Sequence, residues 1–301
     1  MERLIGIVKS EGCTLSMLRV ACWVISNLCK GKPDPPLSRI QLFIAPLNTL
    51  LPYVTDVDVI MDILWSFSCI TEITDGANIL FKIVAISSLL KFTTSNNSNI
   101  QIPALKVIGN FCLGKSTDID SLLDNNGLSI LLNVITSKSN STVISLGCWI
   151  LSNIASGPEK HIQHIINSGC FKSLLQLLGG SSDRAVKNEA GHAIANLCAN
   201  GNEEQLYKMT QEGIIEGLSQ AIDTLESDTL LQALNAIEEI LFIGNIKDNH
   251  NLLANKFESV GGKKRLEKLL LHPNVEVYQR AIKILDEFLD SKESEELMTD
   301  P

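Results

Sequence analysis

One seven-residue pattern returns along this chain at a nearly constant interval. It is clearest as CWVISNL (Cys22 to Leu28), CWILSNI (Cys148 to Ile154) and GHAIANL (Gly191 to Leu197). Looser copies are ILWSFSCI (Ile63 to Ile70), LKVIGNF (Leu105 to Phe111) and LNAIEEI (Leu234 to Ile240). If the first Trp is position zero, that position falls at Trp23, Trp65, Lys106, Trp149, His192 and Asn235, in steps of 42, 41, 43, 43 and 43. A second marker, Gly before an apolar run, recurs at Gly127, Gly169 and Gly213. A unit of about this length cannot bury its apolar face alone, so the copies must stack on one another.

Placed on a helix at about 100° per residue, positions −2, +2 and +5 share one face. Their occupants are all small or apolar: Ala21/Ile25/Leu28, Ile63/Phe67/Ile70, Ala104/Ile108/Phe111, Gly147/Leu151/Ile154, Ala190/Ile194/Leu197 and Ala233/Ile237/Ile240. That is the stripe expected to be buried. Positions −3, 0 and +4 fall together on another face. It carries the Trp residues, Asp62, Glu189, and Asn at Asn27, Asn110, Asn153 and Asn196. An amide in a core needs partners, so the repeated Trp/Asn pair reads as an exposed binding ladder. Each copy also has an apolar helix after its Gly marker and a shorter one before it, such as EKHIQHII (Glu159 to Ile166). Three helices per unit favour armadillo over two-helix HEAT repeats. The expected fold is all-α, a right-handed superhelical armadillo-repeat solenoid of about seven repeats over residues 1–290. The ladder would form a row along its concave face. Residues 291–301 read as an acidic, disordered tail.

Composition narrows the function. The net charge is −9, which argues against a nucleic-acid binder acting through phosphate neutralisation. The acids crowd at one end: from Asp286 onward seven acids face one base, a net of −6. No stretch suits a membrane span, and the N-terminus resembles no signal or transit peptide. The eight cysteines are scattered with no CxxC pair and read as reduced core thiols. The sequons at Asn96 and Asn140 then read as ordinary loop sequence. There is no phosphate-binding glycine motif, nucleophile elbow or HExxH. His161 and His164 share a helix face without an acidic or Cys companion, so no metal, cofactor or catalytic activity is expected.

The segment CWVISNLCKGKPDPPL (Cys22 to Leu37) resembles the fourth repeat of the importin alpha family. The resemblance continues through ALKVIGN (Ala104 to Asn110), CWILSNIASG (Cys148 to Gly157), NEAGHAIAN (Asn188 to Asn196), AIEEILFIG (Ala236 to Gly244) and YQRAIKILDEFL (Tyr278 to Leu289). It implies a nuclear import adaptor of cytoplasm and nucleus that captures lysine-rich nuclear localisation signals as extended peptides. Asn side chains would hold the peptide backbone, Trp rings would flank lysine stems, and carboxylates would meet the ammonium. The family's basic importin-beta-binding segment and its first three repeats have no counterpart in the sequence, so importin beta binding is not expected. The family's last repeat implies an export receptor as a further partner.

Carried over residue by residue, Trp23, Asn27, Asp62 and Trp65 match the end of the family's major site. Cys69 stands where the family has Tyr. Lys106, Asn110, Trp149, Ser152, Asn153, Glu189, His192 and Asn196 match its minor site. Lys106 replaces an Arg, His192 a Trp, and Leu146 a Glu. The second site thus keeps its backbone-binding amides and has fewer lysine-binding groups. Two other readings remain open. One is a general armadillo scaffold of catenin type, although such scaffolds use a basic groove and here Lys106 stands against Asp62 and Glu189. The other is a shortened importin-alpha-like form that sequesters cargo.

Overall fold

A computed structural model describes residues 1–137, 140–248 and 252–290. Among them every regular element is helical. The chain divides into two compact units, Met1–Ile150 and Leu151–Pro301. The 291–301 tail expected from the sequence lies outside the described residues.

The first unit contains α1 (Glu2–Lys9), α2 (Leu15–Cys29), α3 (Leu37–Ile40), α4 (Ile44–Leu50), α5 (Val57–Glu72) and α6 (Gly76–Leu80). It continues with α7 (Ile86–Thr93), α8 (Ser98–Cys112), α9 (Ser116–Asp124), α10 (Gly127–Thr136) and α11 (Ser141–Ala155), in which the division falls. The pattern helices of the sequence are α2, α5, α8 and α11. Between one and the next lie two shorter helices, the three-helix unit expected of an armadillo repeat. α5 packs between α2 and α8, so these pattern helices rest one on the next.

The second unit contains α12 (Glu159–Asn167), α13 (Cys170–Gly180), α14 (Arg184–Asn200), α15 (Glu203–Gln211) and α16 (Ile214–Ala221). It ends with α17 (Ser227–Asp248), α18 (Leu252–Ser259), α19 (Gly262–Leu269) and α20 (Val275–Ile284), the last running into a π-helical turn at Leu285–Leu289. Here the pattern helices α14, α17 and α20 stack in the same way.

Local chemistry sets the helix starts. Thr14, Asp56, Asn97, Asn140 and Asp183 each accept a backbone N–H from the first turn of the pattern helix that follows. These caps satisfy donors that a helix N-terminus leaves unpaired. They repeat at the same interval as the ladder itself. Asn140, the second sequon, is therefore a structural cap. The Gly markers also have a backbone role. Gly169, Gly213 and Gly261 sit at positive φ just before α13, α16 and α19, and Asn126 holds that conformation before α10. Only Gly, and at a cost Asn or Asp, adopts it readily.

The predicted stripe is buried at every position but one. Leu28 is 44 % exposed, because α2 has a pattern helix, α5, on one side only. All eight cysteines are free thiols, six of them buried. Burial pushes Cys22 and Cys29 up to about 12, which makes them inert packing groups.

Candidate functional site

The ladder residues occupy successive pattern helices. Trp23, Asn27, Asp62, Trp65, Lys106, Asn110 and Trp149 belong to the first unit. Ser152, Asn153, Glu189, His192 and Asn196 belong to the second.

In the first unit Trp23 stands out, 59 % exposed, with Asn27 exposed one turn later. The Asn27 amide donates to the Trp23 carbonyl at 2.8 Å. A carbonyl can only accept, so this bond fixes which end of the amide carries nitrogen. Asn110, on α8, donates to Thr71 Oγ1 on α5 at 2.8 Å. The Thr71 hydroxyl spends its own proton on the Ser68 carbonyl, so Asn110 must be the donor here. In both residues Nδ2 is anchored by the protein and Oδ1 is left without a hydrogen bond among the described residues.

Three features depart from a simple exposed ladder. Asp62 is buried, 7 % exposed. Its position faces along the stack, where Lys30 and the Cys22 thiol of α2 lie near enough to interact with it. Burial drives its carboxyl up to about 6, with Lys30 pulling the other way and Asp58 adding to the rise. Trp65, expected to wall a slot for a peptide lysine, already carries two lysines of this chain. The Lys30 ammonium lies 4.8 Å and the Lys106 ammonium 5.2 Å from its ring centroid, within cation–π range. Trp149 is half-buried and its ring packs against Gly109. A Cβ there would stand 1.8 Å from the ring's Cζ3, so only glycine permits this approach.

In the second unit Asn196 spends its two N–H groups on three acceptors: the Ser152 carbonyl at 3.2 Å, Ser152 Oγ at 2.9 Å and Ser156 Oγ at 3.1 Å. Ser152 is buried and acts as this brace, not as an open contact. The Asn196 Oδ1 has no bond among the described residues. Asn153 is half-buried. Burial raises the Glu189 carboxyl, and His192 one turn on lowers it. His192 is not a free ring. Its Nδ1 lies 2.6 Å from Gln232 Oε1 and its Nε2 3.0 Å from Thr229 Oγ1. The amide oxygen requires an Nδ1–H, and the Thr229 hydroxyl, which can donate or accept, pairs with Nε2. The imidazole is held to α17 through both of its nitrogens.

Four further residues, Lys30, Gln232, Asn235 and Glu239, adjoin the ladder. Lys30 lies two residues past the first copy and far in sequence from Trp65, and no local signal pairs them. Gln232, Asn235 and Glu239 occupy positions −3, 0 and +4 of the sixth copy. They line a cleft of about 100 Å³ with Asn196 and three alanines. Among the described residues no group of three His, Cys, Asp or Glu could hold a metal ion, and no helix is long and apolar enough to cross a membrane.

Comparison with known proteins matches this architecture. An armadillo/beta-catenin-like repeat model fits residues 158–199, and an atypical Arm repeat model fits residues 251–301. Importin subunit alpha-4 of Arabidopsis thaliana is 28 % identical over 97 % of this chain and 55 % of its own length. Importin subunit alpha-3 of the same plant is 30 % identical over 95 % of this chain and 55 % of its own length. The chain thus spans about half the length of the curated relatives it matches. Among solved structures, an engineered protein is similar with a TM-score of 0.80 and 25 % identity, over 95 % of this chain and 67 % of that one. A designed armadillo repeat protein in complex with the peptide (KR)4 is similar with a TM-score of 0.68 and 28 % identity, over 81 % of this chain and 99 % of that one. The chain therefore has an all-α armadillo-repeat fold, and importin alpha subunits are its homologues over about 95 % of its length.

Proposed function

We propose that the ladder faces of this chain bind lysine-rich peptides in extended form, and that the chain serves as an adaptor for nuclear localisation signals in cytoplasm and nucleus. The observation that carries this reading is the state of the ladder amides. Asn27, Asn110 and Asn196 each have Nδ2 tied to the protein and Oδ1 unpaired. Such a set presents prepositioned acceptors to the backbone N–H groups of a peptide, whatever its side chains. Because the amides are already ordered, binding costs little side-chain entropy. Asp62 and Glu189 add carboxylates on the same faces. Burial makes both poor at holding charge alone, so an arriving ammonium would stabilise each.

The relatives named above are importin alpha subunits, and a similar designed repeat protein is in complex with a basic peptide. Both support peptide binding as the role. The two ladder segments are not equivalent in this reading. Trp65 is covered by two lysines, so the first unit offers Trp23, Asn27 and Asp62 before it offers a second aromatic wall. In the second unit His192 is committed to α17, so the lysine-binding groups there are Glu189 and the braced amides. The resemblance of the closing helix α20 to the family's last repeat extends the proposal to an export receptor as partner.

The test is a fluorescence anisotropy titration with a labelled lysine-rich bipartite peptide and a glutamate-rich control of equal length. Micromolar or tighter binding of the basic peptide alone supports the reading. Absence of binding by the folded chain, or equal binding of both peptides, overturns it in favour of a general scaffold.

A further inference from the structure

The ladder does not end at Asn196. α17 packs on α14, and its positions −3, 0 and +4 hold Gln232, Asn235 and Glu239, all exposed. With Asn196 they enclose the cleft of about 100 Å³, whose remaining walls are Ala195, Ala199 and Ala236. No basic side chain lines it. The Glu239 carboxylate has no ion pair or hydrogen bond among the described residues, and neither has the Asn235 amide. Glu239 is close enough to act on the buried Cys198 thiol, which its charge pushes further up. Gln232 spends its Oε1 on His192 and keeps its amide nitrogen as a donor.

We infer that this cleft is an additional subsite for one basic side chain, a lysine or arginine, of the same extended peptide. The inference rests on the proposed peptide-binding function and deepens it. The chemistry is one-signed. Three acceptors face the cleft without partners of their own: the Glu239 carboxylate, Asn235 Oδ1 and Asn196 Oδ1. An ammonium satisfies all of them, and a carboxylate ligand would satisfy none. The alanines leave a narrow apolar wall for the methylene stem, as a long basic side chain requires. Gln232 Nε2 remains for a peptide carbonyl. A glutamate at the +4 position, where four of the other copies have Asn, turns a backbone-binding rung into a charge-binding one.

A double-mutant cycle in peptide and protein tests it on the full chain. One lysine-rich peptide is extended by three lysines or by three alanines, at its N-terminus in one pair and at its C-terminus in another. Each is titrated against wild type, Glu239→Gln and Asn235→Ala. The lysine extension at one end is expected to tighten binding to wild type about fivefold over the alanine extension, as for one exposed charge pair. That gain should vanish with Glu239→Gln and shrink with Asn235→Ala, while the alanine-extended peptides bind all three proteins alike. A lysine gain of equal size on wild type and Glu239→Gln, or no gain at either end, overturns the subsite and leaves the peptide groove standing. Failure of every peptide to bind folded wild type overturns the groove and the subsite together.

Discussion

Asp62→Asn is expected to make this protein more stable and a poorer peptide binder at the same time. Burial raises the Asp62 carboxyl from its ordinary 3.8 to about 6. The difference is about 2 units, and at about 1.36 kcal/mol per unit it corresponds to about 3 kcal/mol. Relaxation around the charge and the nearby Lys30 make 1–2 kcal/mol the better order of magnitude. The sign follows from proton counting. Between pH 3.8 and about 6 the folded state holds a proton that the unfolded state has lost, so stability falls as pH rises through that window. Below it Asp62 is neutral in both states and costs nothing. Above it the full cost of a buried carboxylate is present. Asn has the same shape without the charge, so it should remove the cost. All three tryptophans of the chain lie in the first unit, so Trp emission during urea unfolding reports on the surroundings of Asp62 directly. At pH 8 Asp62→Asn should raise its midpoint by the equivalent of about 1–2 kcal/mol, and at pH 3.5 it should leave the midpoint unchanged. The same substitution should weaken a lysine-rich peptide several-fold at pH 8, and wild-type binding should weaken as pH falls below 6. A midpoint that drops at pH 8, or a stability gain that is independent of pH, would refute the argument that Asp62 is a buried charge held for a ligand.

Three more outcomes follow from single contacts. Lys106→Leu should uncover Trp65 for a peptide lysine and tighten a basic peptide about two- to fivefold by anisotropy, because one resident cation–π partner is gone. Gly109→Ala forces Trp149 off the α8 backbone, and such overpacking costs about 1–3 kcal/mol; Trp emission should shift red, and the first unit should unfold at lower urea. Asp56→Ala removes both the α5 cap and the paired bonds from Arg19 Nε (3.1 Å) and Nη2 (2.6 Å). It should lower the same midpoint by the equivalent of about 1–2 kcal/mol, typical for loss of a cap.

The repeat and its buried stripe were legible because both are periodic within one helix. Ile63, Phe67 and Ile70 are fully buried, as their spacing requires. The three-helix unit was legible from its Gly markers, since Gly169 and Gly213 do hold the positive φ that begins the middle helix. What escaped lies between copies. Asp62 shares its helix face with Trp65, but a face angle says nothing about burial between repeats, and Asp62 is only 7 % exposed. Lys30 and Lys106 reach Trp65 from either side of it in sequence, a meeting set by stacking and not by any motif. His192 reads as a smaller wall until Thr229 and Gln232 are seen holding both its nitrogens. The caps Thr14, Asp56, Asn97, Asn140 and Asp183 could have been found from the sequence, because their spacing is the period already in hand.

In the proposed mode of binding, peptide backbone docks on the unpaired Oδ1 atoms of the braced ladder amides. A crystal structure of the chain with a bound lysine-rich peptide tests it most directly. An extended peptide is expected whose backbone N–H groups donate to ladder Oδ1 atoms within one unit, that of Asn110 in the first or of Asn196 in the second, while Nδ2 keeps its bond to Thr71 or Ser152. A peptide that lies elsewhere, or that binds as a helix without touching these amides, would contradict it.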